Sequence, residues 1–123
     1  MSTTDHSIER KHTNARMSKI VKYGGLVYLC GQTASGGPHA QADIATQTTE
    51  VLARIDALLS EAGSHRERIL STTIYLRDIS DFAAMNAVWD AWVPAGTAPA
   101  RTTLEARLGA SSLLVEMTVV AAQ

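Results

Sequence analysis

Pro99-Ala100-Arg101-Thr102-Thr103-Leu104-Glu105-Ala106-Arg107-Leu108, a short Gly-Ala-Ser-Ser connection, then Leu113-Leu114-Val115-Glu116-Met117-Thr118-Val119-Val120-Ala121: the reading of the chain turns on this stretch. The second run has the aliphatic, β-branched composition of a strand buried on both faces, yet Glu116 stands in its middle. Burying an ionised carboxylate without a cation or several hydrogen bonds is costly, so the fold must bring it a donor or turn it toward a wet cavity. Arg101, just after Ala98-Pro99-Ala100, is the candidate donor. If the two runs are neighbouring strands, guanidinium and carboxylate converge, and one can bind an anion while the other holds a water. The competing reading is a structural ion pair that locks two strands.

Working outward, Met17 to Tyr23 alternates loosely, Gly24-Gly25 supplies a tight turn, and Leu26-Val27-Tyr28-Leu29-Cys30 is a second apolar run. Together they spell a β-hairpin, ended by Gly31-Gln32, whose glycine lets something approach the backbone closely. Ala34-Ser35-Gly36-Gly37-Pro38 reads as a loop, without the Lys-Ser/Thr ending of a phosphate loop. Asp43 is placed to cap a helix in which Ile44, Thr48, Val51, Ile55, Leu58 and Ala62 share one face, closed by Gly63. Ile69 to Leu76 follows as a strand ended by Arg77-Asp78. Ser80 then caps a second helix carrying Phe82, Met85, Trp89 and Trp92 on one stripe, stopped by Pro94. Core packing is the default role for both tryptophans. The order strand, strand, helix, strand, helix, strand, strand suits an α+β layer, with both helices on one face of a mixed sheet. Strands that read apolar on both faces leave the other side uncovered, which predicts a homo-oligomer with sites at subunit boundaries.

Composition narrows the function classes. The 123 residues bound a single compact domain, read as a flexible lead-in over 1–15 and a folded domain over 16–123. A formal charge of −1, with Lys and Arg spread along the chain, gives no strong pull toward nucleic acid or membrane. No run approaches the length of a spanning helix, and the polar N-terminal stretch lacks an apolar core, so a cytosolic protein is expected. Cys30 is the single cysteine, which excludes an intrachain disulfide and a multi-thiolate metal site and makes it a small apolar filler. His6, His12, His39 and His65 share no ligand spacing and fall in polar segments, so surface positions are expected and no metal. Glu105 and Arg107 read as intersubunit ion pairs on the strand face of Thr103.

Several of these segments together resemble the RidA/YjgF family: Cys30-Gly31-Gln32, the helix from Gln47-Thr48 to Ala62-Gly63, Thr73-Ile74-Tyr75-Leu76 with Asp78, Asp81 to Asn86, Pro99-Ala100-Arg101 and Val115-Glu116. The resemblance runs in order from about residue 15 to the end. It implies a chorismate-mutase-like single domain, a mixed six-stranded sheet with two helices on one face, and a homotrimeric barrel with ligand sites between subunits. It also implies hydrolytic deamination of reactive 2-imino and 2-enamino acids, such as 2-aminoacrylate or 2-iminobutanoate, to 2-keto acids and ammonia.

By the same resemblance Arg101 grips the substrate carboxylate, which its planar fork can do by two parallel hydrogen bonds. Glu116 positions the attacking water and takes its proton. Gly31 lines the site with its backbone, Thr103 presents a backbone group toward the substrate nitrogen, and Asn86 supports the pocket. No cofactor is implied, because an imine is already activated toward water. There are departures from the family pattern. Met17 replaces a tyrosine, leaving a more apolar and adaptable wall; Cys30 stands where serine is usual, Thr103 where cysteine is frequent, and Arg16 and Trp89 also differ. They imply a side branch that keeps the carboxylate grip. An alternative function is a non-catalytic binding protein for small carboxylates or keto acids at the same pocket. The ribonuclease activity attributed to some members finds no basic stripe with interleaved aromatics here.

Overall fold

The computed structural model describes residues 7–123, so the lead-in residues Thr3 to His6 lie outside the described residues. Within them the chain runs β1 (Glu9–Thr13), β2 (Ser18–Tyr23), β3 (Leu26–Gln32), α1 (Ile44–Glu61), β4 (Ile69–Leu76), α2 (Phe82–Trp92), β5 (Ala100–Glu105) and β6 (Val115–Ala122). Short 3-10 turns at Arg66–Arg68 and Ile79–Asp81 lead into β4 and α2. The strands form one six-stranded mixed sheet of order β1-β2-β3-β6-β4-β5, in which β4 and β5 are parallel and the other pairs antiparallel. A parallel pair needs a crossover, and α2 supplies it.

The local signals act as their chemistry dictates. Gly24 and Gly25 adopt φ of 59° and 82°, the pair of positive values that a two-residue hairpin turn requires. The Asp43 carboxylate accepts from the Thr46 amide at 2.9 Å and caps α1, and Gly63, at φ 80°, ends it. One face of the sheet carries both helices. Val51, Leu52, Ile55 and Leu59 of α1 and Met85 and Trp89 of α2 pack there against Ile20, Val27, Ile74, Leu76, Val115, Met117 and Val119, all buried. The run Leu26 to Cys30, the strand Ile69 to Leu76 and the two helices contribute to this core as their patterning predicts, with β3 continuing to Gln32.

Three expectations are corrected. Structure begins before Arg16: Glu9-Arg10-Lys11-His12-Thr13 is an edge strand paired with β2 inside the expected lead-in. It has no apolar residue to betray it, being exposed or half-exposed throughout, and is held by ladder bonds and by His12 Nε2 against Glu61 at 2.6 Å. Ser80 does not cap the second helix. The Asp78 carboxylate accepts from the Ser80 amide at 2.9 Å, starting a 3-10 turn from which α2 continues at Phe82. Finally, β6 is not buried on both faces of the single chain. Val115, Met117, Val119 and Ala121 are buried under the helices, whereas Glu116, Thr118, Val120 and Ala122 are half-buried on the uncovered face.

The connection between β5 and β6 is pinned by two side chains. Gln47 is wholly buried; its Nε2 donates to Ala42 O and Ser112 O at 3.0 and 2.8 Å, and its Oε1 accepts from Leu114 N at 2.9 Å. Arg77 donates to Leu113 O at 2.8 Å through Nε and to Leu108 O and Ala110 O at 3.2 and 2.7 Å through Nη2. The entry into β6, and so the placement of Glu116, is fixed by satisfied polar groups.

Candidate functional site

Glu116 lies on the uncovered face of β6, beside β3. The pairing of β3 with β6 slips by one residue between Leu29↔Val119 and Gln32↔Met117, which puts Cys30 and Gly31 in a β-bulge. That bulge brings the Gly31 backbone against the carboxylate. A Cβ on Gly31 would fall 2.0 Å from Glu116 Oε2 and 3.0 Å from its Cδ, so glycine lets the carboxylate rest against the backbone and any other residue must displace it. Among the described residues no side chain makes a hydrogen bond or ion pair to Glu116.

Cys30, next along the bulge, accepts a hydrogen bond at Sγ from Gln32 Nε2 at 3.3 Å. Burial pushes its thiol pKa up; Lys19 and the Gln32 hydrogen bond oppose the rise, and the nearby Glu116 charge adds to it. A thiol held protonated is not an activated nucleophile, which agrees with the reading of Cys30 as wall rather than chemistry. Met17 immediately precedes β2, and antiparallel pairing sets the start of β2 beside the end of β3. The Asn14 side chain accepts from the Arg16 and Met17 amides at 2.8 and 3.0 Å and fixes that turn, leaving Met17 44% exposed.

Arg101 is elsewhere. The two runs quoted at the outset are not neighbours: β4 lies between β5 and β6. Arg101 pairs with Thr72 of β4 and Glu116 with Tyr75, positions three apart on one strand and therefore on opposite faces. The expected Arg101–Glu116 pair, whether catalytic or structural, is not formed within one chain. Instead the Arg101 guanidinium lies on the helix side, its Cζ 5.4 Å from the Trp89 ring centroid and 5.7 Å from that of Phe82. No described side chain offers it a carboxylate or a hydrogen bond.

The surroundings of Arg101 hold unused polar capacity. Among the described residues the buried side-chain atoms without a hydrogen-bond partner are Thr72 Oγ1, Asn86 Oδ1 and Thr103 Oγ1. Thr72 is the cross-strand partner of Arg101, Thr103 follows it on the same face of β5, and Asn86 sits on α2 between Phe82 and Trp89. Leaving such an atom without a partner costs on the order of 1–3 kcal/mol, which makes these positions candidates for contact with a ligand or water. The candidate residues thus fall into two separate groups: Arg101, Thr103 and Asn86 on the helix side, and Glu116, Gly31, Cys30 and Met17 toward the bulge.

Glu105 shares the strand face of Thr103, and its Oε1 accepts from the Ile79 amide at 3.0 Å, while Arg107 lies beyond the end of β5. His12 and His65 meet Glu61 and Glu67, at 2.6 and 3.5 Å. Among the described residues no three His, Cys, Asp or Glu side chains gather as a metal site, and no helix is long and apolar enough to cross a membrane. Sequence reasoning missed Phe82, Trp89 and Thr72 as surroundings of Arg101. The signal available was the i, i+4, i+7 spacing of Phe82, Asn86 and Trp89, which puts a polar residue inside an aromatic stripe.

A helix-backed six-stranded mixed sheet, with an arginine on one face and a glutamate on a bulge of the other, defines a class of small single-domain α+β proteins. The family model described as Endoribonuclease L-PSP matches residues 7–123. The RutC family protein YoaB of Escherichia coli strain K12 is 43% identical over 116 residues, spanning 94% of this chain and 98% of that protein. A RutC family protein of Haemophilus ducreyi is 36% identical over 115 residues, 94% of this chain and 96% of its own. A YjgF-family crystal structure from Neisseria meningitidis superposes with a TM-score of 0.89 at 43% identity, covering 95% of each chain. The chain belongs to the RutC/YjgF family.

Proposed function

We propose that the protein hydrolyses small 2-imino and 2-enamino acids to 2-keto acids and ammonia, at sites shared between copies of the chain in a homotrimer. The observation that carries this reading is the division of charge. Arg101 and Glu116 are each half-buried without a partner, on opposite faces of one sheet, where a single chain cannot bring both to one ligand. A second copy packed on the uncovered face resolves this, setting Arg101 of one copy opposite Glu116 of its neighbour. That face carries Tyr28, 41% exposed, and Leu104, 39% exposed, alongside Val120.

In the assembled site Arg101 holds the substrate carboxylate by two parallel N–H···O bonds, with Thr103 and Asn86 on the same wall. An enamine first takes a proton from solvent at its terminal carbon and becomes the protonated imine. Glu116, settled against Gly31, orients a water toward the imine carbon and accepts its proton as the C–O bond forms. The resulting carbinolamine takes that proton back on nitrogen, its C–N bond breaks, and ammonia leaves as the hydroxyl gives its proton to the freed Glu116 carboxylate and closes to the keto group; the released ammonia then takes that proton as ammonium. One water is consumed and nothing is oxidised. Orientation and one proton shuttle suffice, because the electrophile is already activated.

A second reading, capture of a keto acid without turnover, is favoured by the thioether of Met17 and the protonated thiol of Cys30, weak hydrogen-bonding groups on the Glu116 side. The test generates 2-aminoacrylate in situ, traps surviving imine with semicarbazide, and compares the protein with Arg101→Ala. Turnover predicts less trapping with the unaltered protein and none of that protection with the variant. Unchanged trapping beside Arg101-dependent binding of pyruvate selects capture instead.

A further inference from the structure

The surroundings of Arg101 contain rings where a buried guanidinium ordinarily has an acid. Phe82 and Trp89 stand two helical turns apart on one face of α2, with Arg101 Cζ within 6 Å of both centroids, at 5.7 and 5.4 Å. Their exposures differ: Trp89 is 5% exposed and belongs to the core, whereas Phe82 is 41% exposed. A carboxylate partner would fix the guanidinium but neutralise it and occupy its in-plane donors. An aromatic face attracts the cation through its quadrupole and leaves every N–H free for an anion.

We propose that Phe82 and Trp89 are positioning residues that aim the Arg101 guanidinium at the ligand carboxylate while leaving its charge and donors unspent. The inference rests on the carboxylate grip of the proposed function. Trp89 serves the core and the site at once, buried among Met85 and the sheet while its ring meets the cation. Phe82 forms the outer side, and Asn86 projects from the turn between them. Preorganising a flexible side chain in this way favours binding by removing the cost of ordering it when ligand arrives.

The experiment measures pyruvate binding to the whole protein by calorimetry across a ring series. Phe82→Leu, which removes the ring at a half-exposed position, weakens binding by about three- to tenfold, while Phe82→Tyr stays within about twofold. Trp89→Phe falls between wild type and Trp89→Leu; the latter also lowers the melting temperature because it opens the core. The Phe82→Leu and Phe82→Tyr variants melt alike, so their difference in affinity is not a folding effect. In an Arg101→Ala background Phe82→Leu changes nothing further, since the ring acts through the guanidinium. Ring variants that bind pyruvate as tightly as wild type, while Arg101→Ala binds it measurably but far more weakly, overturn the inference and leave the proposed function standing. A Phe82→Leu effect that persists without Arg101 also overturns it. Wild-type protein that neither binds pyruvate nor hydrolyses imine overturns both.

Discussion

Replacing Gly31 by alanine tests the Glu116 half-site at one atom. Gly31 does not occupy the left-handed region, so alanine meets no backbone strain; the conflict is with Glu116 alone, whose Oε2, Cδ and Cγ would lie 2.0, 3.0 and 3.3 Å from the new methyl. The nearest atom is the far end of a flexible side chain, so the carboxylate swings aside at a rotamer cost of about 1 kcal/mol, and the fold survives. The displaced oxygen moves by about an ångström or more from where it would hold water, a shift that costs on the order of 10²-fold in rate. The assay is semicarbazide-trapped imine hydrolysis beside a thermal melt. Gly31→Ala should lose about two orders of magnitude in kcat with a small change in Tm. Gly31→Ala combined with Glu116→Ala should be no slower than Glu116→Ala alone, because both changes act on one group. A Gly31→Ala protein that hydrolyses imine at the wild-type rate refutes the reasoning.

Other outcomes follow from single contacts. Gln47→Leu leaves Ser112 O, Ala42 O and Leu114 N without their buried partner and should destabilise the protein by about 2–5 kcal/mol in denaturant unfolding, against little change if the two carbonyls find other donors and the amide another acceptor. Asp43 is held below its ordinary 3.8 by hydrogen bonds from Thr46, side chain first and backbone amide second. With a depressed folded pKa its contribution is full above pH 3.8 and is lost as pH falls through the folded value, so Asp43→Ala should lower Tm at pH 7 and flatten the acid limb of the Tm profile. The Cys30 thiol, raised above 9.0 by burial, should alkylate slowly with iodoacetamide at pH 7 and keep accelerating beyond pH 9.0; a rate that levels off at neutral pH would show a thiolate the structure does not support.

How much of this was legible depended on whether the deciding contact was local. The periodicity of Ile44 to Ala62 and the pair Gly24-Gly25 fixed α1 and the hairpin, because helix faces and tight turns are settled by residues a few positions apart. The edge strand Glu9–Thr13 was invisible, since a strand exposed along its length needs no apolar alternation. Arg101 and Glu116 were legible as unusual charges, but not their sidedness. That is set by the registers Thr72↔Arg101 and Tyr75↔Glu116 on an intervening strand that no spacing within residues 99–121 reveals. The fit of Gly31 against Glu116 depends on a bulge, a one-residue slip between distant strands. The Phe82 and Trp89 stripe was readable as packing; its second role emerged only when β5 was placed beneath α2.

The central claim is that Arg101 of one copy and Glu116 of another complete a single site, and mixing two inactive proteins tests it most directly. Arg101→Ala and Glu116→Ala are each purified, unfolded together in equal amounts and refolded, with mixed oligomers verified by native mass spectrometry. Sites that pair an intact Arg101 with an intact Glu116 then form at random, and about a quarter of wild-type imine hydrolysis should return. Mixed oligomers that stay inactive, or a wild-type monomer that turns over imine by itself, would contradict the account.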